Sequence, residues 1–380
     1  MYILASYTLL AVEDKETKMK NTIISTLLLY SFTSYAQTYF VTDNGNTQAD
    51  GLSWETSIPF QTASTKGVPG DTFIVRRGDY KAFEYKSHYS PVIGGTEAAP
   101  ITIKAEDGTV FVNRSAGWAL IDQPYINIEN IGCKGNGGAC VTIKNTHHVN
   151  ISGMVAIDNW RGVNMENADD SIIENSYMTG NQEGIYLWGG SDRNIIRNNH
   201  VTRNGNLPWD SGDRCGLCVG GINAGVDNKI IGNEVSYNGG LDTDFALPIY
   251  NAERTEVIEN HVHHNYRGGM YLGQYSYDSL AMGNRVEYNG LLCNEVGATN
   301  ISGLSIRNGN DRTVVANNKV LNNCVANGND WGDTSPRCGM DVIGIPTTDI
   351  VFVGNTVEGT VNGDDFCIGS NIPTENIKVY

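Results

Sequence analysis

Between Cys140 and Asp365 the chain repeats one short pattern, and no compact fold accommodates such a repeat. Representative copies are "RGVNMENADDSIIENSYMTGN" (161–181), "EGIYLWGGSDRNIIRNNHVTRN" (183–204), "GMYLGQYSYDSLAMGNRVEYN" (269–289) and "GLSIRNGNDRTVVANNKVLNN" (303–323). Each has a small or polar residue, an alternating apolar stretch, a turn, an apolar pair and then Asn-x-Val-x-x-Asn. Self-similarity at this period marks a solenoid. Strand-only repeats bury their apolar faces against the coils above and below. The pattern therefore predicts an all-β fold, a single-stranded right-handed parallel β-helix.

The copies start at Cys140, Gly162, Gly184, Gly216, Ala246, Gly269, Gly303, Gly339 and Asp365, so the shortest coil (Cys140 to Gly162) takes 22 residues and the longest (Gly303 to Gly339) takes 36. The extra residues are "GNLPWDSGDRC", "GGLDTDF", "GLLCNEVGATNIS" and "CVANGNDWGDTSPRC". All follow Asn-x-Val-x-x-Asn and precede the next alternating strand, so all are expected along one edge of one strand column. Loops grafted on one edge of a rigid scaffold are where function concentrates.

Residues 1–18 read as an extension upstream of a natural start at Met19. Residues 19–36, "MKNTIISTLLLYSFTSYA", have the charge, apolar core and Ser-x-Ala exit of a secretory signal. Residues 37–380 are then the helix domain, in a secreted (extracellular or periplasmic) setting. The 380-residue chain carries a formal net charge of −16, which disfavours nucleic acid. No other apolar run is long enough to enter a membrane.

Eight cysteines in a secreted chain predict disulfides. Cys215 and Cys338 occupy equivalent places four rungs apart, about 19 Å at a strand spacing of about 4.8 Å, and cannot pair. Cys293–Cys324, Cys133–Cys140 and Cys338–Cys367 are the expected bridges. Cys215-x-x-Cys218 has a metal or redox spacing, but no second pair or nearby His completes a zinc set.

Alternation sends Val163/Met165, Ile185/Leu187, Leu247/Ile249, Met270/Leu272, Leu304/Ile306 and Met340/Val342 inward. Their neighbours face out. Stacked, these form a strip of Tyr186, Trp188, Tyr250 and Tyr271, with Lys144 and Glu166 at one end and Arg307 and Asp341 at the other. Flat rings beside polar groups suit sugar rings, and Gly220 and Gly273 would leave room for a chain lying along them. The turn asparagines (Asn159, Asn181, Asn204, Asn238, Asn265, Asn289, Asn323) are expected to form a structural ladder, each bonding the bend and its counterpart in the next coil.

With "YFVTDNGNTQADGLSWETSI" (39–58), "VPGDTFIVRRGDY" (68–80) and "GGTEAAPITIKAEDGTVFV" (94–112) as opening coils, the chain resembles secreted polysaccharide-processing β-helix proteins of the pectate- and alginate-lyase-like kind. The resemblance runs from Tyr39 to the end and implies the β-helix fold and a polysaccharide partner. The family's chemistry motifs match less well. Neither the calcium-dependent alginate lyase pattern nor the Asp-Pro-His core of mannuronan epimerases is present. "GDDFCIGS" (363–370) is similar to a polygalacturonase strand, but the later His and Arg-x-Lys motifs of that family have no place before Tyr380.

β-Elimination on a uronate needs a cation on the carboxylate, a base for the C5 proton and an acid for the leaving oxygen. Arg214, Arg267, Arg307 and Lys144 are the candidate cations. "HVHHNYRGGMY" supplies the candidate proton handlers His263, His264, Tyr266 and Tyr271, since a cation beside a phenol favours the phenolate. Asp210, Asp213, Asp242 and Asp244 line one loop edge and could hold Ca²⁺. A hydrolase would instead draw two carboxylates from Asp213, Asp341, Glu166 and Asp333. A non-catalytic glycan-binding helix needs only the aromatic strip. The strand edges of the last coil offer a further place for association.

Overall fold

The computed structural model describes residues 36–78, 80, 93–112, 117–135, 137–205, 215–219, 225–239, 245–294, 301–307, 309–325, 338–343, 347–369 and 377–380, which belong to one compact unit, Tyr35–Tyr380. The signal segment and upstream extension lie outside them, apart from Ala36. So do most of the four insertions, and with them Arg214, Gly220, Asp333 and the proposed calcium ligands Asp210, Asp213, Asp242 and Asp244.

The fold is the parallel β-helix that the repeat predicts. Each coil contributes three strands. The first column stacks Val149–Ser152, Ile172–Glu174, Ile195–Arg197, Lys229–Ile231 and their successors. The second stacks Val155–Ile157, Tyr177–Thr179, His200–Thr202, Glu234–Ser236 and His261–His263. Both belong to one 21-stranded sheet, because the long strand Ile126–Lys134 pairs with Val149–Ser152 by its first half and with Val155–Ile157 by its second. The third column is a separate 10-stranded sheet, from Trp118–Ile121 to Asp364–Ile368. Ahead of the regular coils, the helix Phe60–Lys66 lays Phe60 edge-on against Trp118, 4.7 Å between ring centres.

Alternation sets the core. Val163, Met165, Ile185, Leu187, Leu247, Ile249, Met270, Leu272, Leu304 and Ile306 are wholly buried, as their parity requires. The three corners of a coil share one device. A residue with positive φ turns the chain, and in most coils an Asn, Ser or Thr follows it. One corner uses Arg203, Tyr237, His264 and Tyr288 (φ 53 to 55°), followed by Asn204, Asn238, Asn265 and Asn289. The left-handed region costs a non-glycine residue about 1–2 kcal/mol, and the following side chain offsets it. The Asn238 amide oxygen accepts from the Asn204 backbone and side-chain N–H groups, each at 3.0 Å, while its own NH₂ donates to the Val201 carbonyl at 2.8 Å. This is the expected ladder. A second ladder, unforeseen, runs through Asn199, Asn233, Asn260, Asn284, Asn318 and Asn355 at the next corner.

The bridges Cys133–Cys140, Cys293–Cys324 and Cys338–Cys367 form as expected. Cys215 and Cys218 are bridged to each other, so that spacing encodes a local disulfide rather than free thiols. Four bridges are the mark of an oxidising, extracytoplasmic setting. Among the described residues no helix is long and apolar enough to cross a membrane.

Candidate functional site

The outward face of the third column holds the candidate site, and its two ends are built differently. At the N-terminal end, strands Ala139–His147, Arg161–Asp169 and Glu183–Trp188 lie side by side, with Lys144 opposite Glu166, Glu166 opposite Trp188, and Arg161 opposite Glu183. The register places opposite charges on adjacent rungs. Lys144 Nζ donates to Glu166 at 2.8 Å, and Arg161 Nε donates to Glu183. Arg161 Nη1 donates to Asn164 Oδ1 at 2.7 Å, and Trp188 Nε1 donates to the same oxygen at 3.2 Å. The Arg161 guanidinium lies over Trp160 at 4.0 Å and over Tyr186 at 4.1 Å. Such stacking on two rings, with the in-plane N–H groups committed to Glu183 and Asn164, uses the planar cation fully. Tyr186 and Trp188 are partly buried and Trp160 is 40% exposed. This end is open.

The C-terminal end is closed. Tyr271, Ser305 and Asp341 occupy one outward row on successive strands. Asp341 is completely buried, and both its oxygens accept hydroxyl hydrogens, from Ser302 and Ser305. Arg307 Nε donates to Ser305 Oγ at 2.6 Å, so the guanidinium reaches the carboxylate through a serine. Phe245, just ahead of strand Leu247–Tyr250, stacks on Tyr271 with 5.2 Å between ring centres and 22° between planes. Arg307 lies over both rings, at 5.1 and 5.6 Å. Tyr271 is accordingly only 3% exposed.

Two glycines permit this closure. A Cβ on Gly268 would sit 2.3 Å from the Phe245 ring, and one on Gly273 would sit 2.6 Å from the Tyr271 hydroxyl oxygen. The space expected over Gly273 for a passing chain is thus filled by the phenol of Tyr271 itself. The expectation of one continuous exposed strip is corrected in the same way. Tyr186, Trp188 and Tyr250 are partly exposed, whereas Tyr271 is sealed beneath Phe245 and leans on Tyr250 (5.1 Å between centres).

The model of the family described as "Periplasmic copper-binding protein (NosD)" matches residues 68–336. The chain belongs to the NosD family. No curated protein matches it in sequence. Among solved structures this NosD-family chain is similar to DFA-IIIase from Arthrobacter chlorophenolicus A6 in complex with GF2, at a TM-score of 0.58 and 12% identity over 88% of this chain and 92% of that one. It is also similar to the mannuronan C-5 epimerase AlgE6 A-module of Azotobacter vinelandii (TM-score 0.53, 12% identity, 82% and 90% covered). A third is a mannuronic acid specific polysaccharide family 6 lyase from human gut microbiota (TM-score 0.50, 11% identity, 90% and 84% covered). At these identities the likeness establishes the fold, and it bears out the expected resemblance to polysaccharide-processing β-helix proteins.

The NosD description names copper, and the donors among the described residues do not fit it. All eight cysteines are in disulfides, so no thiolate remains for a soft metal. Among the described residues no group of three or more His, Cys, Asp or Glu side chains is placed to hold a metal ion.

The run "HVHHNYRGGMY" is divided by its corner. His263 ends a second-column strand and His264 is the left-handed corner residue, whereas Tyr271 stands in the third column beyond the Asn265 bend. His263 Nδ1 lies 2.9 Å from His264 Nδ1, and its Nε2 lies 3.3 Å from Glu234. His264 is stacked between Tyr237 and Tyr288, at 5.3 and 5.2 Å. Burial first, and the neighbouring His261 charge second, hold His263 below the ordinary imidazole value. The two histidines therefore belong to a different face from Tyr271. Arg267 is buried at 8% exposure and Arg307 at 7%. Trp160, Arg161, Asn164, Glu183, Ser302 and Phe245 enter the candidate site without having been singled out in the sequence. Opposite charges at register-equivalent positions, Arg161 and Glu183, were the available signal.

Proposed function

We propose that the chain is a secreted, carbohydrate-active β-helix that acts on an acidic polysaccharide as a lyase, with the glycan lying along the outward face of the third column. The observation that supports this most is the Trp160–Arg161–Tyr186 stack. It is a rigid aromatic and polar platform on the open end of a surface whose strand repeat, about 4.8 Å, is close to the length of one sugar unit. At the other end Arg307 and Arg267 would neutralise a uronate carboxylate, and Tyr271 would take the C5 proton. The C5–H electron pair would become the new double bond, and the leaving oxygen would depart with the C4–O electrons and gain a proton. Turnover there requires Phe245 to leave the face of Tyr271.

Hydrolysis is less well supported. Of its candidate acids, Glu166 and Asp341 stand six rungs apart along the stacked strands. That is about 29 Å at the strand spacing, against the roughly 5–10 Å that paired carboxylates need. Calcium at Asp210, Asp213, Asp242 and Asp244 remains part of the proposal, as a loop-edge ligand set.

The test is to incubate the chain with pectate, alginate and glycosaminoglycans, with and without a chelator. An ultraviolet-absorbing unsaturated product, lost in Tyr271→Phe, is expected. Reducing ends without that absorbance would mean hydrolysis, and retention of intact polysaccharide would mean a binding protein.

A further inference from the structure

The outward face of the first column is apolar where a solvent face would be polar. Its first outward row runs Ile172, Ile195, Lys229, Glu256, Leu280, Val314 over six successive coils. Two apolar residues thus stand on either side of one ion pair, Lys229 with Glu256 at 3.1 Å. On its second row Ile231, Ile258 and Met282 follow one another. All of these side chains are at least partly exposed, and Val314 is 37% exposed. Apolar residues gathered into a strip, rather than scattered, mark a contact surface. The four insertions leave from the corner between the second and third columns, which does not border this face. Along its leading corner runs a charged ladder of alternating sign, Asp170, Arg193, Asp227, Arg254, Asp278 and Arg312.

We infer that this face is the interface of an antiparallel dimer of the chain, with the two-fold axis crossing the first column between the strands of Lys229 and Glu256. An axis lying in the interface reverses the coil order and leaves each row facing its own counterpart. The first row then sets Ile172 on the second copy's Val314, Ile195 on its Leu280 and Lys229 on its Glu256. The second row sets Ile231 on the second copy's Ile258. The Glu174–Arg197 ion pair (2.6 Å) falls toward the two ends, opposite Ala316 and Met282. At the corner, Asp170 meets Arg312, Arg193 meets Asp278, and Asp227 meets Arg254. The face is therefore complementary to itself in sign and in polarity. A slip of one coil would set like charges together along the whole corner. A slip of two coils would restore the corner but press Lys229 and Glu256 against apolar side chains. The corner charges, being exposed, act as a rim that selects register more than it adds affinity. Six coils span about 29 Å, and six residues from corner to corner about 20 Å, so the copies would cover about 1,200 Å² in all, the lower end for a specific interface. The face is on a different column from the candidate site, so the dimer and the proposed glycan activity stand or fall separately.

The experiment is sedimentation of the chain across a dilution series, for wild type and Ile258→Lys, with cross-linking of two cysteine variants. Wild type should sediment as a dimer. Ile258→Lys should weaken it at least about a hundredfold, because each substitution buries two unpaired charges at a two-fold interface. Unchanged circular dichroism in the variant separates dissociation from misfolding. For the register, Ile172→Cys and Val314→Cys are treated with a short bismaleimide, singly and mixed. The eight native cysteines are in disulfides, so the introduced thiols react. Linked dimers are expected only in the mixture, since each introduced thiol stands five rungs, about 24 Å, from its own counterpart. A wild type that stays monomeric overturns the inference, and so does one that stays monomeric but binds zwitterionic lipid vesicles through this face. A dimer indifferent to Ile258→Lys, or linkage in either variant alone and not in the mixture, overturns it as well.

Discussion

The two ends of the third column use the same kinds of residue, aromatic rings, an arginine and a carboxylate, and arrive at opposite states. At the open end Arg161 lies between two rings, one of them 40% exposed, and its carboxylate partner is on the adjacent rung. At the closed end Arg307 lies over two rings that are 2 and 3% exposed, and its carboxylate is reached through Ser305. Part of the difference is the cover over Tyr271, supplied by Phe245, which stands just before its strand and stacks on the ring of the next rung. Burial and register are thus separable. Register is fixed by the strands, whereas burial is decided by what the chain does between them.

The closed end should be much the more sensitive to loss of its carboxylate. Asp341→Ala would strand two serine hydroxyls and the Arg307 behind them in a buried setting. Removing one partner of a buried charge network costs about 3–5 kcal/mol. Urea unfolding followed by circular dichroism should show that loss, with a smaller one of about 1–3 kcal/mol for Glu183→Gln at the open end. Equal losses would mean that the two ends do not differ energetically as their exposure says.

Gly268→Ala tests the cover itself. The added methyl would meet the Phe245 ring at 2.3 Å, and such overpacking costs about 1–3 kcal/mol. Phe245 should be displaced and Tyr271 uncovered. Tyrosine nitration read by mass spectrometry should then mark Tyr271 in the variant and spare it in the wild type. Continued protection in the variant would show that something other than Phe245 seals the phenol.

What the sequence revealed follows from the same separation. The coils, the inward residues, the three longer disulfides and the first Asn ladder are all consequences of register, and register is written in spacing. The second Asn ladder was written there too, as the first Asn of Asn-x-Val-x-x-Asn. The closure over Tyr271 was not, because Phe245 ends one of four insertions that share a position but no sequence pattern, and nothing periodic announces where it folds. His263 and His264 misled for a related reason. They are close to Tyr271 in sequence, but a left-handed residue and Asn265 intervene, and one corner of a β-helix changes the face.

A pH titration should touch the second column before the strip. His263 is held below its ordinary value, so the unfolded chain takes up its proton more readily than the folded one. Stability from this group is complete above about pH 6.5 and falls as the pH drops below it. Melting temperatures from pH 8 to 5 should decline, and His263→Gln should flatten the decline. No flattening would show that His263 does not carry the decline.

The smallest effect is expected at the corner leading into the first column, where neither end of the strip is involved. Its left-handed residues alternate in sign, Asp170, Arg193, Asp227, Arg254, Asp278, Arg312 and Asp349. Each arginine makes a two-pronged contact back to the aspartate of the preceding coil, as Arg254 does to Asp227 at 2.7 and 3.0 Å. The alternation is visible in the sequence once the coils are aligned. It also explains why these corners do not slip, since a shift of one coil would set like charges together. Arg193, Arg254 and Arg312 hold Asp170, Asp227 and Asp278 below the usual carboxylate range, chiefly by hydrogen bonding. Folded carboxyls that ionise more readily stabilise above about pH 4 and lose that contribution as the pH falls further. Because these pairs are exposed, salt screens them. Arg254→Ala should therefore lower the melting temperature slightly at low salt and near neutral pH, and not at all in 1 M NaCl. A drop that survives high salt would mean that the arginine stem, rather than its charge, holds this corner.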